Sequence, residues 1–179
     1  MNKIWFTADH HFGHTNIIEN CNRPFSTVEE MDSIMIERWN EVVRKNDMVY
    51  HLGDITLYKD VSKYISKLNG HITVIPGNHD FRWMGLHFDY DVLYTKTGIM
   101  GITAPLVELK MRAEKTIMVL CHYALRTWNR SHYGSLHLHG HSHGMLEQFP
   151  NSMDVGVDCH NFYPISLSFV MENLYDKTP

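Results

Sequence analysis

The chain has 179 residues, a hydrophobic fraction of 44% and a formal net charge of −4, values that favour one globular domain over 1–179. The acidic balance provides no broad positive field for non-specific binding to nucleic acid, and no apolar run approaches the roughly 20 residues of a membrane-spanning helix. Because the N-terminal residues turn polar before a signal-peptide core can form, we expect a cytoplasmic protein with no membrane partner.

The front half of the chain alternates between short apolar runs and helical patterns. Strands are predicted over 4–8, 48–52 and 71–75, and helices over 27–44 and 61–70. Ser26 and Glu29 fit a capping box for the first helix. This alternation indicates a β-α-β-α-β arrangement.

After residue 90 the helical periodicity fades. Strands joined by turns are predicted around 91–95, 105–109, 116–121, 135–139 and 153–157, followed by a last helix over 166–174. No linker or internal repeat interrupts the chain. We therefore expect an α/β protein in which sheets pack together with helices outside them.

Polar residues that can bind metal ions or transfer protons follow the predicted strands, where each strand passes into a loop. Since the carboxyl ends of strands converge on one rim in such sheets, we expect these residues to meet at one site. They are Asp9, His11, Asp54, Asn78, His79, Asp80, His122, His141 and His143.

This inventory suits a pair of divalent metal ions. Aspartate, asparagine and histidine offer oxygen and imidazole donors, which divalent transition metals accept. Seven donors exceed the roughly four that one zinc ion takes, whereas two ions sharing one carboxylate would use all of them. A two-metal site holds a bridging hydroxide for in-line attack on phosphorus, so the pattern points to phosphoester hydrolysis.

Five short motifs resemble, in order and local spacing, those of the calcineurin-like metallophosphoesterase superfamily. They are Asp9-x-His11, Gly53-Asp54, Gly77-Asn78-His79-Asp80, His122 and Gly140-His-x-His143. The stretches FTADHHFGHTNII, NRPF and VYHLGD look similar to the compact bacterial and phage-type members. The resemblance implies a four-layer α/β/β/α sandwich of two packed mixed sheets, and a dinuclear site that takes manganese, iron, zinc or nickel, of which manganese is favoured.

The resemblance also implies a role for each matched residue. Asp9, His11 and His143 would bind one ion, Asn78, His122 and His141 the other, and Asp54 would bridge them. His79 would protonate the leaving oxygen as general acid, and Asp80 would orient its ring.

The predicted substrate is a small phosphodiester or phosphomonoester, with a nucleotide-type molecule favoured. His14, Asn16 and Arg23, in the FGHTN and NRPF segments, are predicted to contact its phosphate. The second motif continues as GDITLYK and lacks the arginine of the protein-phosphatase branch, which argues against a phosphoprotein substrate.

Two other functions are considered. A metal-dependent nuclease acting on DNA or RNA is the alternative, disfavoured because the chain is short and acidic. A non-catalytic scaffold of the same fold is a third reading, against which the presence of His79 and every ligand argues. The aromatic and basic segment 123–134 is predicted to be either a substrate lip or an exposed loop.

Four further histidines lie next to the motifs. His137 and His139 are interpreted as packing or supporting residues, His51 as a core or supporting residue, and His10 as peripheral, because it points away from Asp9 if the strand continues.

Overall fold

A computed structural model describes residues 2–84, 93–94 and 99–174 of the chain. The strands are Ile4–Thr7 (β1), Met48–His51 (β2), His71–Val74 (β3), Leu93–Tyr94 (β4), Ile99–Ile102 (β5), Leu106–Met111 (β6), Thr116–Cys121 (β7), Leu136–His139 (β8), Ser152–Asp154 (β9) and Ile165–Ser166 (β10). The helices are Asn16–Asn20 (α1), Val28–Val42 (α2), Ser62–Ile65 (α3), Phe81–Met84 (α4) and Leu167–Leu174 (α5). Within the described ranges, no helix has the length and apolar character that a bilayer crossing requires.

The strands form two mixed sheets. The six-stranded sheet has the order β10-β1-β2-β3-β5-β4, in which β1, β2, β3 and β5 are parallel and the two edge strands are antiparallel to their neighbours. The four-stranded sheet has the order β6-β7-β8-β9, with β6 antiparallel to β7 and the other pairs parallel. The predicted α/β class with two mixed sheets is confirmed.

One hydrophobic core lies between the two sheets. Phe6 and Leu52, from the six-stranded sheet and its β2 loop, share a buried cluster with Leu120 and Leu138 of the four-stranded sheet. Val170 of α5 joins the same cluster. Each fully buried side chain of this size contributes roughly 1.5–3 kcal/mol, so this core fixes the position of one sheet on the other.

A second core lies between the opposite face of the six-stranded sheet and the helices α2 and α3. Met31, Met35 and Trp39 recur every four residues along α2 and are fully buried. They pack in one cluster with Val49 and Ile72 of the sheet. This spacing puts one face of the helix against the sheet, as the sequence pattern predicts.

The capping box of α2 is shifted by one residue from its predicted position. Thr27 is the N-cap, and its side chain accepts a hydrogen bond from Glu30 N at 3.1 Å. The carboxylate of Glu30 accepts one from Ser26 N at 2.7 Å. The pairs Ser26–Glu29 and Thr27–Glu30 have the same spacing, so the sequence pattern could not distinguish them.

The outer face of the four-stranded sheet is covered by a loop. Trp128 in this loop is buried, its ring centroid lies 5.1 Å from that of His137 on β8, and its Nε1 donates to Ser135 O. Tyr123, at the start of the same loop, is 47% exposed. The loop that follows β7 therefore packs against the outer face of β8.

Several short elements were not predicted. The helices α1 and α4 span 5 and 4 residues, too few to show a helical period in the sequence, and Gly101 interrupts the apolar run of β5. The strand predicted around 91–95 overlaps β4, and its other residues lie outside the described ranges.

Candidate metal centre

The candidate ligands lie at the carboxyl ends of strands from both sheets. The loops after β1, β2 and β3 carry Asp9, His11, Asp54 and Asn78, and the segments after β7 and β8 carry His122, His141 and His143. Backbone hydrogen bonds join these loops: Asp9 N donates to Gly53 O, His11 N to Asp54 O, and Gly140 N to His122 O, each at 3.0 Å. The predicted convergence on one rim is confirmed.

Many of the candidate ligands have left-handed backbone. The φ angles are 60° for Asp9, 51° for His11, 58° for Asp54, 67° for His141 and 48° for His143. A non-glycine residue in a sparsely populated conformation costs about 1–3 kcal/mol and persists only where its surroundings enforce it. The fold therefore maintains local strain at the loops that present these side chains.

Two glycines permit the close approach of these loops. Gly53 has φ +93°, and a Cβ there would lie 2.3 Å from Gly77 N. A Cβ on Gly140 would lie 2.5 Å from Asp9 Oδ2. Side chains at these two positions would separate the loops that bring the donors together.

The first subsite consists of Asp9, His11 and His143, whose ligand atoms lie within 4.8 Å of one another. Asp9 Oδ1 and both ring nitrogens of His11 are buried without a hydrogen-bond partner among the described residues. Burial lowers the pKa of His11 and raises the pKa of Asp9. Because each unsatisfied buried polar group costs about 1–3 kcal/mol, these three atoms form a group whose chemistry suits a bound cation.

The second subsite consists of Asn78, His122 and His141. His122 Nδ1 donates to Leu52 O at 2.7 Å, which leaves Nε2 with its lone pair. This Nε2 faces Asn78 Oδ1 at 3.1 Å and Asp54 Oδ2 at 3.5 Å. Burial lowers the pKa of His122 to about 4, so the ring is neutral at pH 7. Electron-pair donors thus face one another across a gap that suits a cation.

Asp54 lies between the two subsites. Its Oδ2 is 3.6 Å from His11 Nε2 on one side and 3.5 Å from His122 Nε2 on the other. It also belongs, with His122 and His141, to a group whose ligand atoms lie within 4.8 Å. This is where a carboxylate shared by two ions would have to lie.

His79 lies on the open side of this arrangement. Its side chain is 35% exposed, and its Nε2 is 3.9 Å from Asp54 Oδ2. Its backbone N–H donates to Asp54 Oδ1 at 2.9 Å, and its ring centroid is 5.4 Å from that of His11. The ring is therefore partly exposed to solvent beside Asp54 and the first subsite.

The orienting role predicted for Asp80 is wrong. Its buried carboxylate accepts hydrogen bonds from Asp54 N at 2.7 Å, Gly77 N at 2.8 Å, Ile55 N at 3.0 Å and Trp83 Nε1 at 3.0 Å. None of its hydrogen bonds among the described residues reaches the His79 ring. Burial raises the pKa of Asp80 to about 6. Asp80 instead fixes the backbone of the loops after β2 and β3.

The phosphate contact predicted for Arg23 is also wrong. Its side chain is fully buried, and its guanidinium donates to both carboxylate oxygens of Asp158 at 2.8 Å. Asp158, to which the sequence had assigned no role, also accepts a hydrogen bond from His143 Nδ1 at 2.7 Å. Like Asp9, it is an acidic residue just after a predicted strand, and this signal could have identified it.

The two other predicted phosphate contacts lie near the start of α1. The His14 ring centroid is 5.7 Å from that of His11, and its Nδ1 is buried without a hydrogen-bond partner among the described residues. Burial lowers the pKa of His14. Asn16 is exposed at the first position of the helix. The fold therefore brings His14 beside the first subsite.

The histidines beside the motifs are buried. His137 donates through Nδ1 to Val119 O at 2.9 Å and accepts from Leu125 N at 3.0 Å through Nε2, which confirms a packing role. His139 and His51 are buried, as expected of packing residues.

His10 lies outside the candidate metal subsites, as predicted, and its position is a buried one. Its side chain is fully buried, and its Nδ1 is 2.9 Å from His51 Nε2. Its ring points away from the metal subsites, but α2 covers that face, with Trp39 at a centroid distance of 5.4 Å.

Comparison with known proteins gives relatives along nearly the whole chain, although no family model matches. The chain is 27% identical to the Gene 66 protein of Mycobacterium phage D29, over 92% of this chain and 93% of that protein. It is 38% identical to the Gene 66 protein of Mycobacterium phage L5 over 85 residues, which are 45% of this chain and 41% of that protein.

A solved structure shares the fold. The protein of unknown function AQ665 from Aquifex aeolicus superposes with a TM-score of 0.68 at 19% identity, over 96% of this chain and 99% of that chain.

The Uncharacterized protein MJ1445 of Methanocaldococcus jannaschii is 35% identical over 183 residues, covering 96% of this chain and 91% of the relative. Identity of this extent shows common descent, and the chain belongs to the same family as MJ1445.

Proposed function

We propose that this protein is a dinuclear metal-dependent phosphoesterase that hydrolyses a small phosphodiester or phosphomonoester, with a nucleotide-type substrate favoured. The observation that carries the proposal is the pair of subsites on either side of Asp54, the first of which has buried ligand atoms with no partner among the described residues. Two mixed sheets that present the donors at their strand ends support the calcineurin-like metallophosphoesterase fold. We also propose that the chain is one domain over 1–179 and that it is cytoplasmic.

The donor chemistry fits two divalent transition-metal ions. Each subsite offers imidazole nitrogen together with carboxylate or amide oxygen, a set suited to manganese, iron, zinc or nickel. Asp9, His11 and His143 would hold one ion, Asn78, His122 and His141 the other, and Asp54 would contact both. We propose manganese as the native ion.

When bound, a pair of divalent ions activates water for attack on phosphorus and neutralises charge on the phosphoryl oxygens. The protein's residues position the ester and supply a proton. His79 protonates the leaving oxygen through its exposed ring, a contribution of typically 10²–10⁴-fold. His14, beside the first subsite, contacts the phosphate.

An exposed aromatic ring supports a nucleotide-type substrate. Tyr123 is 47% exposed, and its ring centroid lies 4.8 Å from that of His141 and 5.1 Å from that of His122. Aromatic side chains stack on nucleobases at about 1–3 kcal/mol per base. Tyr123 can hold a base while the ester lies at the subsites.

The test is hydrolysis of a nitrophenyl phosphomonoester, a bis-nitrophenyl diester and an alkyl phosphodiester by chelator-treated protein, with and without Mn²⁺. We expect turnover only with the metal, and its loss in Asp54→Asn. His79→Ala should reduce kcat by about 10²–10⁴-fold on the alkyl ester. The reduction should be small on nitrophenyl esters, whose leaving oxygen needs no proton.

The matched control is His71→Ala. His71 is exposed at the first position of β3, whereas His79 follows the opposite end of that strand. This variant should keep wild-type kcat on all three esters. Full activity of His79→Ala on the alkyl ester would overturn the general-acid assignment, and no metal-dependent turnover of any ester would overturn the proposed function.

A further inference from the structure

Arg23 is a buried cation that joins distant parts of the chain. Its side chain is fully buried, and it binds Asp158, a residue 135 positions away, through Nε and Nη2. Its Nη2 also donates to Asp9 O at 2.7 Å, and its Nη1 to His10 O at 2.9 Å. One guanidinium therefore holds the backbone that carries two ligands of the first subsite, Asp9 and His11.

Asp158 connects this guanidinium to the third ligand of the same subsite. Its Oδ2 accepts both from Arg23 Nη2 at 2.8 Å and from His143 Nδ1 at 2.7 Å. Because Nδ1 carries the donated hydrogen, Nε2 of the neutral ring keeps its lone pair for a metal ion. A carboxylate behind a ligating histidine fixes its tautomer and orientation and strengthens it as a donor.

The second subsite is supported differently. His122 Nδ1 donates to the neutral carbonyl of Leu52, at 2.7 Å. Among the hydrogen bonds of the described residues, a buried arginine is linked through a carboxylate to a ligand at the first subsite, whereas His122 of the second subsite is bonded to a backbone carbonyl. The two subsites thus differ in the charge behind their histidines.

We propose that Arg23 and Asp158 are positioning residues that set the metal affinity of the first subsite and leave that of the second unchanged, an inference that rests on the proposed dinuclear centre. Arg23 fixes the loop of Asp9 and His11 and the carboxylate of Asp158, and Asp158 fixes His143. Lysine cannot replace Arg23, because it has no planar fork for two parallel bonds to a carboxylate.

The experiment is a titration of metal-free protein with Mn²⁺. Binding is measured by calorimetry and by the electron paramagnetic resonance signal of unbound Mn²⁺. We expect two ions per wild-type chain. Asp158→Asn should weaken one of them by about 10–100-fold and leave the other unchanged, and Arg23→Lys should do the same. The matched control is Arg38→Lys, because Arg38 donates to Asn161 O at an exposed position and should leave both affinities unchanged.

A second background separates positioning from a general loss of structure. His143→Ala should itself weaken the first-subsite ion. Adding Asp158→Asn to this variant should then leave the affinity of the second-subsite ion unchanged. A weaker affinity of the second-subsite ion in the double variant would overturn the inference. Melting temperatures of the metal-free variants show which of them are folded. If Asp158→Asn does not fold, Arg23→Lys provides a second test.

The failures of the two proposals are distinguishable. Two wild-type ions whose affinities are unchanged in Asp158→Asn and Arg23→Lys would overturn the positioning role and leave the dinuclear centre standing. Fewer than two ions bound by the wild type would overturn the dinuclear centre itself.

Discussion

In the run HLHGHSHG, residues 137–144, histidine side chains have different roles that depend on their position in the fold. His137 lies on β8, where strand alternation directs its ring to the outer face, and both of its ring nitrogens are used in hydrogen bonds to backbone. His141 and His143 follow the strand, and their left-handed backbone turns them toward the metal subsites. Two of these histidines are thus free to bind a metal, whereas His137 is not.

The buried His137 should make the metal-free protein less stable in mild acid. Burial lowers its pKa to about 4, whereas an unfolded histidine titrates near 6.5. As pH falls from 6.5 to 4 the unfolded state binds the proton first, so stability contributed above pH 6.5 is lost, by up to roughly 3 kcal/mol. Urea unfolding with chelator at pH 7.5 and 4.5 measures this loss.

The corresponding variant is His137→Gln, whose amide can hydrogen-bond to backbone but does not titrate. It should lose less stability than wild type between pH 7.5 and 4.5. His71→Gln removes an exposed histidine and should keep the wild-type pH dependence. An equal pH dependence of His137→Gln and wild type would contradict the assignment.

At the scale of elements, local sequence patterns predicted secondary structure, but they could not predict contacts between residues that are distant in the sequence. The helix predicted over 27–44 is observed as Val28–Val42, because amphipathic spacing is a property of the segment itself. The candidate metal ligands could be predicted to lie on one rim because each follows a predicted strand. Arg23 was misassigned because its partner, Asp158, is 135 residues away, and Asp80 because adjacency to His79 in sequence says nothing about where its carboxylate points.

The N-terminus of α2 tests the corrected capping box. Thr27→Ala removes the oxygen that accepts from Glu30 N and should lower the free energy of unfolding by about 1 kcal/mol. Ser26→Ala, one residue earlier, keeps the backbone N–H that donates to Glu30 and should change stability by only a few tenths of that value. Urea unfolding compares them, and a larger loss in Ser26→Ala would restore the original assignment.

At the scale of the whole molecule, the candidate centre joins two sheets that are otherwise held by an apolar core. Asp9, His11, Asp54 and Asn78 extend from the six-stranded sheet, and three histidines extend from the four-stranded one. In the metal-free folded state, this rim carries buried polar atoms without hydrogen-bond partners among the described residues, and left-handed backbone. A metal ion bound there should therefore stabilise the entire domain rather than one loop.

Mn²⁺ should accordingly raise the melting temperature of the metal-free protein. An ion at 100 times its Kd adds about 2.7 kcal/mol per site, and 1 kcal/mol corresponds to about 2–4 °C for a chain of this size. We expect a rise of roughly 5–11 °C for each occupied site.

Calorimetry with Ca²⁺ provides the ion control, since Ca²⁺ prefers oxygen ligands and should give a smaller rise. Asp54→Asn should lose most of the Mn²⁺ effect, because its carboxylate lies beside both subsites, whereas Asp60→Asn, at an exposed position, should keep it. A melting temperature that does not change in millimolar Mn²⁺ would show that the rim is stable without a cation and would count against the metal centre itself.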